Sequence, residues 1–182
     1  MRLFIALEFS RKTRQALAAD ARAVEQICVK ASLTREENFH LTLVFLGETS
    51  SERLEDVKSA MDQCRAAPVE LTVTGPGRFR QREGDTVWRG AESRSQLREL
   101  YRQLCAALEE RGFPTEDRPY TPHITLARRA RLKDGHTYEE LAALPPLSEK
   151  IETVTLMRSH TMNGRLTYTP VYRIRLKEEP TG

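Results

Sequence analysis

The sequence predicts an α+β protein, with two mostly antiparallel sheets flanked by helices around a central cleft. Three observations carry that class. Apolar residues alternate with period two in several segments, as in Val69, Leu71 and Val73 between Glu70, Thr72 and Thr74. Stretches of helical period fall between them, the clearest being Leu97, Leu100, Leu104 and Leu108. A strand-like motif is written twice, as His40-Leu41-Thr42-Leu43 and His123-Ile124-Thr125-Leu126, 83 residues apart. Strands and helices mix with several hairpins, which fits α+β rather than a regular βαβ repeat. No glycine-rich phosphate loop follows a strand, which argues against a P-loop or a Rossmann unit.

In order, Met1 to Phe9 alternates and then runs apolar, as a buried strand does. Ser10 is placed to cap a helix over Arg11 to Ile27, where Ala16, Leu17, Val24 and Ile27 recur at helical spacing. Val29 to Asn38 reads as a polar connection, and Phe39 to Leu46 as the first motif strand, closed by Gly47. Ser50 or Ser51 caps a second helix over Glu52 to Arg65, with Leu54, Val57 and Met61 on one face. Pro68 precedes the Val69–Val73 strand, Gly75-Pro76-Gly77 reads as a turn, and Arg78 to Asp85 as an exposed hairpin loop returning through Thr86 to Gly90. A helix over Gln96 to Arg111 ends at Gly112, and Phe113 to Pro122 approaches the second motif strand. After a polar loop at Arg131 to His136 comes a short helix, Tyr138 to Leu144, stopped by Pro145-Pro146. Ile151, Val154 and Leu156 mark one more strand, Asn163-Gly164 a turn, Leu166 to Leu176 the last strand, and Glu178 to Gly182 a tail. Each half thus has a helix before its motif strand and a hairpin after it, so the chain is expected to form one bilobal domain over residues 1–182 with a groove between similar lobes.

A chain of 182 residues with 39% hydrophobic and 30% charged residues can bury a sizeable core. No apolar run reaches a membrane span, and the opening apolar run meets Glu8 too early for a signal peptide. Cys28, Cys64 and Cys105 are odd in number and widely spaced, which suits reduced thiols in a cytoplasmic protein rather than a disulfide framework. Net charge is only +3, but six of the 29 basic residues are lysine and 23 are arginine. Arginine suits bidentate phosphate contacts, although a codon-driven bias gives the same count.

In a strand, alternate side chains share a face, so the His and Thr of each motif lie side by side, roughly 7 Å apart. Two such strands across a groove offer two imidazoles, able to take and give protons near neutrality, and two hydroxyls for phosphate oxygens. That set can open a strained cyclic phosphodiester without a metal. Strict alternation turns Arg128 away from His123 and Thr125, and a bend or a strand end near Ala127 would return it. Phe79, Trp88 and Tyr120 are candidates to stack on a base, with core packing the competing role of Trp88. His136 and His160 sit in unrelated contexts, as locally bonded or solvent-facing residues, so no third zinc ligand has a useful spacing and neither metal nor cofactor is expected.

At these residues the chain resembles the two-histidine (2H) phosphoesterases and, within them, the bacterial RNA 2',3'-cyclic phosphodiesterases long labelled 2'-5' RNA ligases. The likeness extends to Met1–Leu7, Leu43–Glu48, Val87-Trp88-Arg89-Gly90, Pro122–Arg128 and the hairpin with Asn163-Gly164 and Tyr168. The resemblance implies a pseudo-two-fold bilobal fold and metal-independent opening of a 2',3'-cyclic phosphate to a 2'-phosphate. By the same resemblance His40 is the proton donor to the leaving 3'-oxygen, His123 the proton acceptor from water, and Thr42 and Thr125 hold the phosphate oxygens. Arg128, the arginine after the second motif, is a ligand contact in that scheme. The expected partner is an RNA or oligonucleotide with a 2',3'-cyclic phosphate end, handled by a monomer. The competing functions are reversible 2'-5' RNA joining, a small-nucleotide cyclic phosphodiesterase and a non-catalytic RNA-binding module.

Overall fold

The computed structural model describes residues 1–178, so positions 179–182 of the expected tail lie outside the described residues. Among the described residues, nine strands form two sheets: β1 (Arg2–Glu8), β2 (Cys28–Leu33), β3 (His40–Glu48), β4 (Val69–Phe79), β5 (Asp85–Glu92), β6 (His123–Leu132), β7 (Leu147–Ile151), β8 (Thr153–Met162) and β9 (Arg165–Arg175). One sheet has the order β3-β1-β8-β9 and the other β2-β6-β5-β4-β7. Every pairing is antiparallel. With β2 set aside, the two orders correspond strand for strand, and each motif strand, β3 or β6, heads its series.

The helices are α1 (Arg11–Ile27), α2 (Leu54–Asp62) and α3 (Gln96–Glu109). Ser10 caps α1, its hydroxyl accepting from the Thr13 N–H. The buried stripe of α3, Leu97, Leu100, Leu104 and Leu108, is the one its spacing specifies. One buried apolar cluster joins Leu3, Ile5 and Leu7 of β1 to Leu71, Val87 and Ile124 of the second sheet. The two sheets therefore share a core.

Four sequence expectations are corrected. The Val29–Asn38 connection contains β2 and a short 3-10 helix, Glu36–Asn38. β2 is an edge strand with Val29 exposed, so it carries no apolar alternation to read. Gly75-Pro76-Gly77 does not turn but runs inside β4, where the register with β5 slips between Val73 and Pro76. Those small residues make room instead: a Cβ on Gly77 would lie 2.2 Å from the Trp88 ring. The hairpin loop is accordingly only residues 80–84, because Phe79 ends β4 and Asp85 begins β5. Finally, Ile151 and Val154 belong to different strands in different sheets, β7 and β8, separated by Glu152.

Candidate active site

Each motif strand is laid against its neighbour with the same irregularity. In β3, Val44 pairs with Ile5 and Thr42 with Ala6, leaving Leu43 as an extra residue. In β6, Ala127 pairs with Val87 and Thr125 with Trp88, leaving Leu126 extra. Such a bulge reverses the alternation beyond it. Leu43 and Val44 are both buried, as are Leu126 and Ala127. The residue five beyond each histidine therefore returns to the histidine's face. In β6 that residue is Arg128, which lines the cleft with His40 and Thr125, contrary to strict alternation. In β3 it is Phe45, which the sequence reading missed although the repeated spacing from His40 pointed to it.

The two imidazoles are anchored alike. His40 Nδ1 lies 2.7 Å from the Asn38 carbonyl oxygen, and His123 Nδ1 lies 2.7 Å from that of Thr121. A carbonyl only accepts, so Nδ1 carries the proton in each neutral ring and Nε2 is left for chemistry. His40 Nε2 lies 3.0 Å from Thr42 Oγ1. Each ring is also walled by two aromatic side chains. Phe4 and Tyr168 lie 4.9 and 5.0 Å from His40 between centroids. Phe79 and Trp88 lie 5.0 and 5.7 Å from His123.

That apolar packing governs the protonation of both rings. Burial pulls His40 down to about 4; Arg128 and His123 lower it further, while the Asn38 carbonyl and Glu8 act the other way. His123 is lowered in the same sense, chiefly by burial and then by Arg128, with the Thr121 carbonyl opposing. Both rings are thus neutral in these surroundings near pH 7.

The cleft opens on two sides that differ in chemistry. A cavity of about 390 Å³ on the His123 side is lined by Thr42, Phe45, Phe79, Tyr101 and Tyr120 among others. The Tyr120 ring stacks on that of Tyr101, 4.2 Å away and nearly parallel, and its hydroxyl donates to the Thr42 carbonyl at 2.8 Å. Trp88 packs over Gly77 behind His123, which is the packing role, while Phe79 borders the open space. A second cavity, of about 280 Å³, lies on the His40 side and reaches Thr125 and Arg128. His136 pairs with Glu140 and His160 with Thr169, both apart from the cleft. Among the described residues, no group of three or more His, Cys, Asp or Glu is placed to hold a metal ion. No helix among them is long and apolar enough to cross a membrane.

Known proteins share this fold. The 2'-5' RNA ligase superfamily matches residues 13–163. An RNA 2',3'-cyclic phosphodiesterase of Thermotoga maritima is 29% identical over 181 residues, covering 96% of this chain and 92% of the relative. That of Escherichia coli K12 is 31% identical over 142 residues, 75% of either chain. A Geobacillus stearothermophilus relative of the same name is longer, and the match spans only 47% of it. The crystal structure of E. coli LigT with 3'-AMP superposes with a TM-score of 0.80 at 27% identity, covering 97% of this chain and 98% of that one. A Thermus thermophilus structure gives 0.77 at 29% identity, over 98% and 100%. On the matched residues, and with the doubled His-x-Thr strands at the centre of its fold, the chain belongs to the 2'-5' RNA ligase superfamily of 2H phosphoesterases.

Proposed function

We propose that the protein is an RNA 2',3'-cyclic phosphodiesterase that opens the cyclic phosphate to a 2'-phosphate by two-histidine acid–base catalysis. The observation that carries this reading is the matched pair of imidazoles, each with Nδ1 held by a backbone carbonyl, which leaves Nε2, hydrogen-bonded in His40 only to the Thr42 hydroxyl, as the nitrogen that exchanges a proton. The phosphate sits between them. Thr42 and Thr125 hydroxyls donate to its non-bridging oxygens, and the Arg128 guanidinium balances the charge that builds there. His123 removes a proton from water as the water oxygen bonds to phosphorus. On the opposite side the bond to the 3'-oxygen breaks, and His40 supplies the proton that makes it a hydroxyl.

His40 needs a proton for that role, and its buried surroundings disfavour one. The arriving phosphate carries a negative charge beside the ring, which favours imidazolium. Substrate binding and protonation of His40 are therefore coupled.

Replacing either His40 or His123 by Ala tests the reading. We expect turnover of an oligonucleotide ending in a 2',3'-cyclic phosphate to fall by about 10²–10⁴-fold in each variant. Near-normal rates in both would refute the scheme.

The cavity of about 390 Å³ on the His123 side favours a second reading of the same chemistry, because it has room for more than water. A nucleoside alcohol seated there in place of water gives a 2'-5' linkage. Incubation with an added 5'-hydroxyl oligonucleotide, with the products resolved, separates joining from hydrolysis.

A further inference from the structure

The cavity on the His40 side has a charge pattern of which the two-histidine scheme uses only Arg128. It is lined by Arg35, Arg128, Arg129 and Arg165, with Thr34 and Asn38, and by no carboxylate. Arg35 is half-spent: it pairs with Glu37 at 2.7 Å and donates to the Leu166 carbonyl. Among the described residues, Arg128, Arg129 and Arg165 have no carboxylate within 4.0 Å. The chain as a whole is nearly balanced at +3. Three unpaired guanidinium groups in one small cavity are thus a local concentration of charge rather than a share of a general excess. The arm on the His123 side has no such concentration, since its Arg118 is paired with Glu116 at 3.1 Å.

Backbone geometry holds two of these arginines together. Arg128 and Arg129 are adjacent, and Arg129 takes a left-handed conformation with φ of 53°. In β6 they stand between Ala127, opposite Val87, and Ala130, opposite Asp85, so two residues face the single Thr86. Gly84 packs on this bulge so closely that a Cβ there would lie 2.7 Å from the Arg129 carbonyl carbon. A bulge with a residue at positive φ re-aims side chains, and here Arg129 lines the cavity beside Arg128. Arg165 comes from the opposite wall, at the start of β9, where the β8–β9 hairpin is tied to Asn38 through the Leu166 carbonyl at 3.1 Å.

In-line displacement at phosphorus fixes what lies on this side. The attacking and leaving oxygens are opposite one another. If His40 serves the leaving 3'-oxygen, the sugar lies on the His40 side, and its 5'-oxygen with it. We propose that this arginine arm binds the phosphate on the 5'-oxygen of the terminal nucleoside, so that a 5'-phosphorylated or oligonucleotide end is taken in preference to a bare nucleoside cyclic phosphate. The inference rests on the function proposed above and names which substrates that function serves.

Three substrates test it: adenosine 2',3'-cyclic phosphate, its 5'-phosphorylated form, and the dinucleotide ApA ending in the cyclic phosphate. We expect kcat/KM for the second and third to exceed the first by roughly ten- to a hundredfold at low salt, mostly through KM, and the gap to narrow as salt rises. Arg165→Ala with Arg129→Asn, whose side chain tolerates the left-handed backbone, should shrink the gap to about threefold or less. A gain for the 5'-phosphorylated mononucleotide alone identifies a small nucleotide as the source of the phosphate. A gain for both identifies any 5'-linked phosphate. Equal kcat/KM for all three, a gain for the dinucleotide alone, or a gap undiminished in the double variant overturns the arm. Calorimetry with adenosine 2',5'-bisphosphate against adenosine 2'-monophosphate reads the same site without chemistry. If no substrate turns over, the proposed reaction fails, while the arm still stands or falls on whether the bisphosphate binds about tenfold tighter.

Discussion

Phe45 and Arg128 occupy equivalent positions in the two halves of the protein. Each follows its motif histidine by five residues and is returned to the cleft by the same bulge, at Leu43 in β3 and at Leu126 in β6. The duplication thus gives the cleft an arginine from one half and an aromatic ring from the other. Arg128→Ala should lower kcat/KM for a cyclic-phosphate end by roughly ten- to a hundredfold, the worth of a charge-assisted hydrogen bond, with partial recovery in Arg128→Lys. Phe45→Ala should raise KM and leave kcat nearly unchanged. Steady-state kinetics on the three variants check both, and an Arg128→Ala variant with unaltered kcat/KM would remove that residue from the site.

Acid should destabilise the protein through His40. The ring titrates at about 4 in the fold against 6.5 for a free histidine. Below 6.5 the unfolded chain takes up a proton that the fold resists, so stability present above 6.5 is lost as pH falls towards 4, and the loss then levels off. The contribution is at most about 3 kcal/mol, and His123, shifted in the same direction, adds to it. Urea unfolding at pH 7 and pH 4.5 should show the loss, and His40→Asn should lose less over that interval. An unchanged slope in the variant would assign the acid sensitivity elsewhere.

The same shift predicts proton uptake on binding. Calorimetry of adenosine 2'-monophosphate at pH 7 in buffers of different ionisation enthalpy should give a positive proton count, abolished in His40→Asn. A buffer-independent enthalpy in the parent would mean that His40 stays neutral with phosphate bound.

Gly77 has a steric role that nothing in a turn would require. Gly77→Ala puts a methyl group 2.2 Å from the Trp88 ring, which in turn packs on His123. The strain of an overfilled site should cost about 1–3 kcal/mol and lower Tm by several degrees. Turnover should fall as well, because Trp88 cannot move without moving His123. Gly75→Ala, where a Cβ meets nothing within 4 Å, is the control, and equal effects of the two would contradict this account.

Beneath the cleft, Arg89 and Asp20 form a buried pair at 3.0 Å, with Arg89 also donating to the Thr74 and Pro145 carbonyls. Burial still raises the Asp20 carboxyl above its usual range, outweighing Arg89. Asp20→Ala leaves a buried guanidinium without its counter-charge and should cost about 3–5 kcal/mol in thermal or denaturant unfolding. A change below about 1 kcal/mol would mean that the carbonyls alone satisfy Arg89.

What the sequence revealed of this molecule follows from which interactions are periodic. The α3 stripe from Leu97 to Leu108, the Ser10 cap and the motif strands are local patterns, and each stands where its pattern put it. β2 was not legible because an edge strand paired only with β6 needs no apolar alternation. Gly75-Pro76-Gly77 carries the composition of a turn, but its smallness serves a contact with Trp88 from the neighbouring strand. The pairing of His40 with Phe4 and Tyr168 joins three strands distant in sequence, and no local window contains it. Arg128 shows the limit most plainly. Its direction depends on one extra residue in β6, and a bulge is a property of two strands in register, not of one read alone.

The proposed function stands or falls on His40 and His123 opening a 2',3'-cyclic phosphate as an acid–base pair. Turnover of an oligoribonucleotide ending in that group decides it, measured in the presence of EDTA with the 2'- and 3'-phosphate products resolved. We predict a 2'-phosphate formed at an undiminished rate. Formation of the 3'-phosphate would contradict the assignment of the 3'-oxygen as leaving group, and activity that vanishes with EDTA and returns with added metal would contradict the two-histidine mechanism itself.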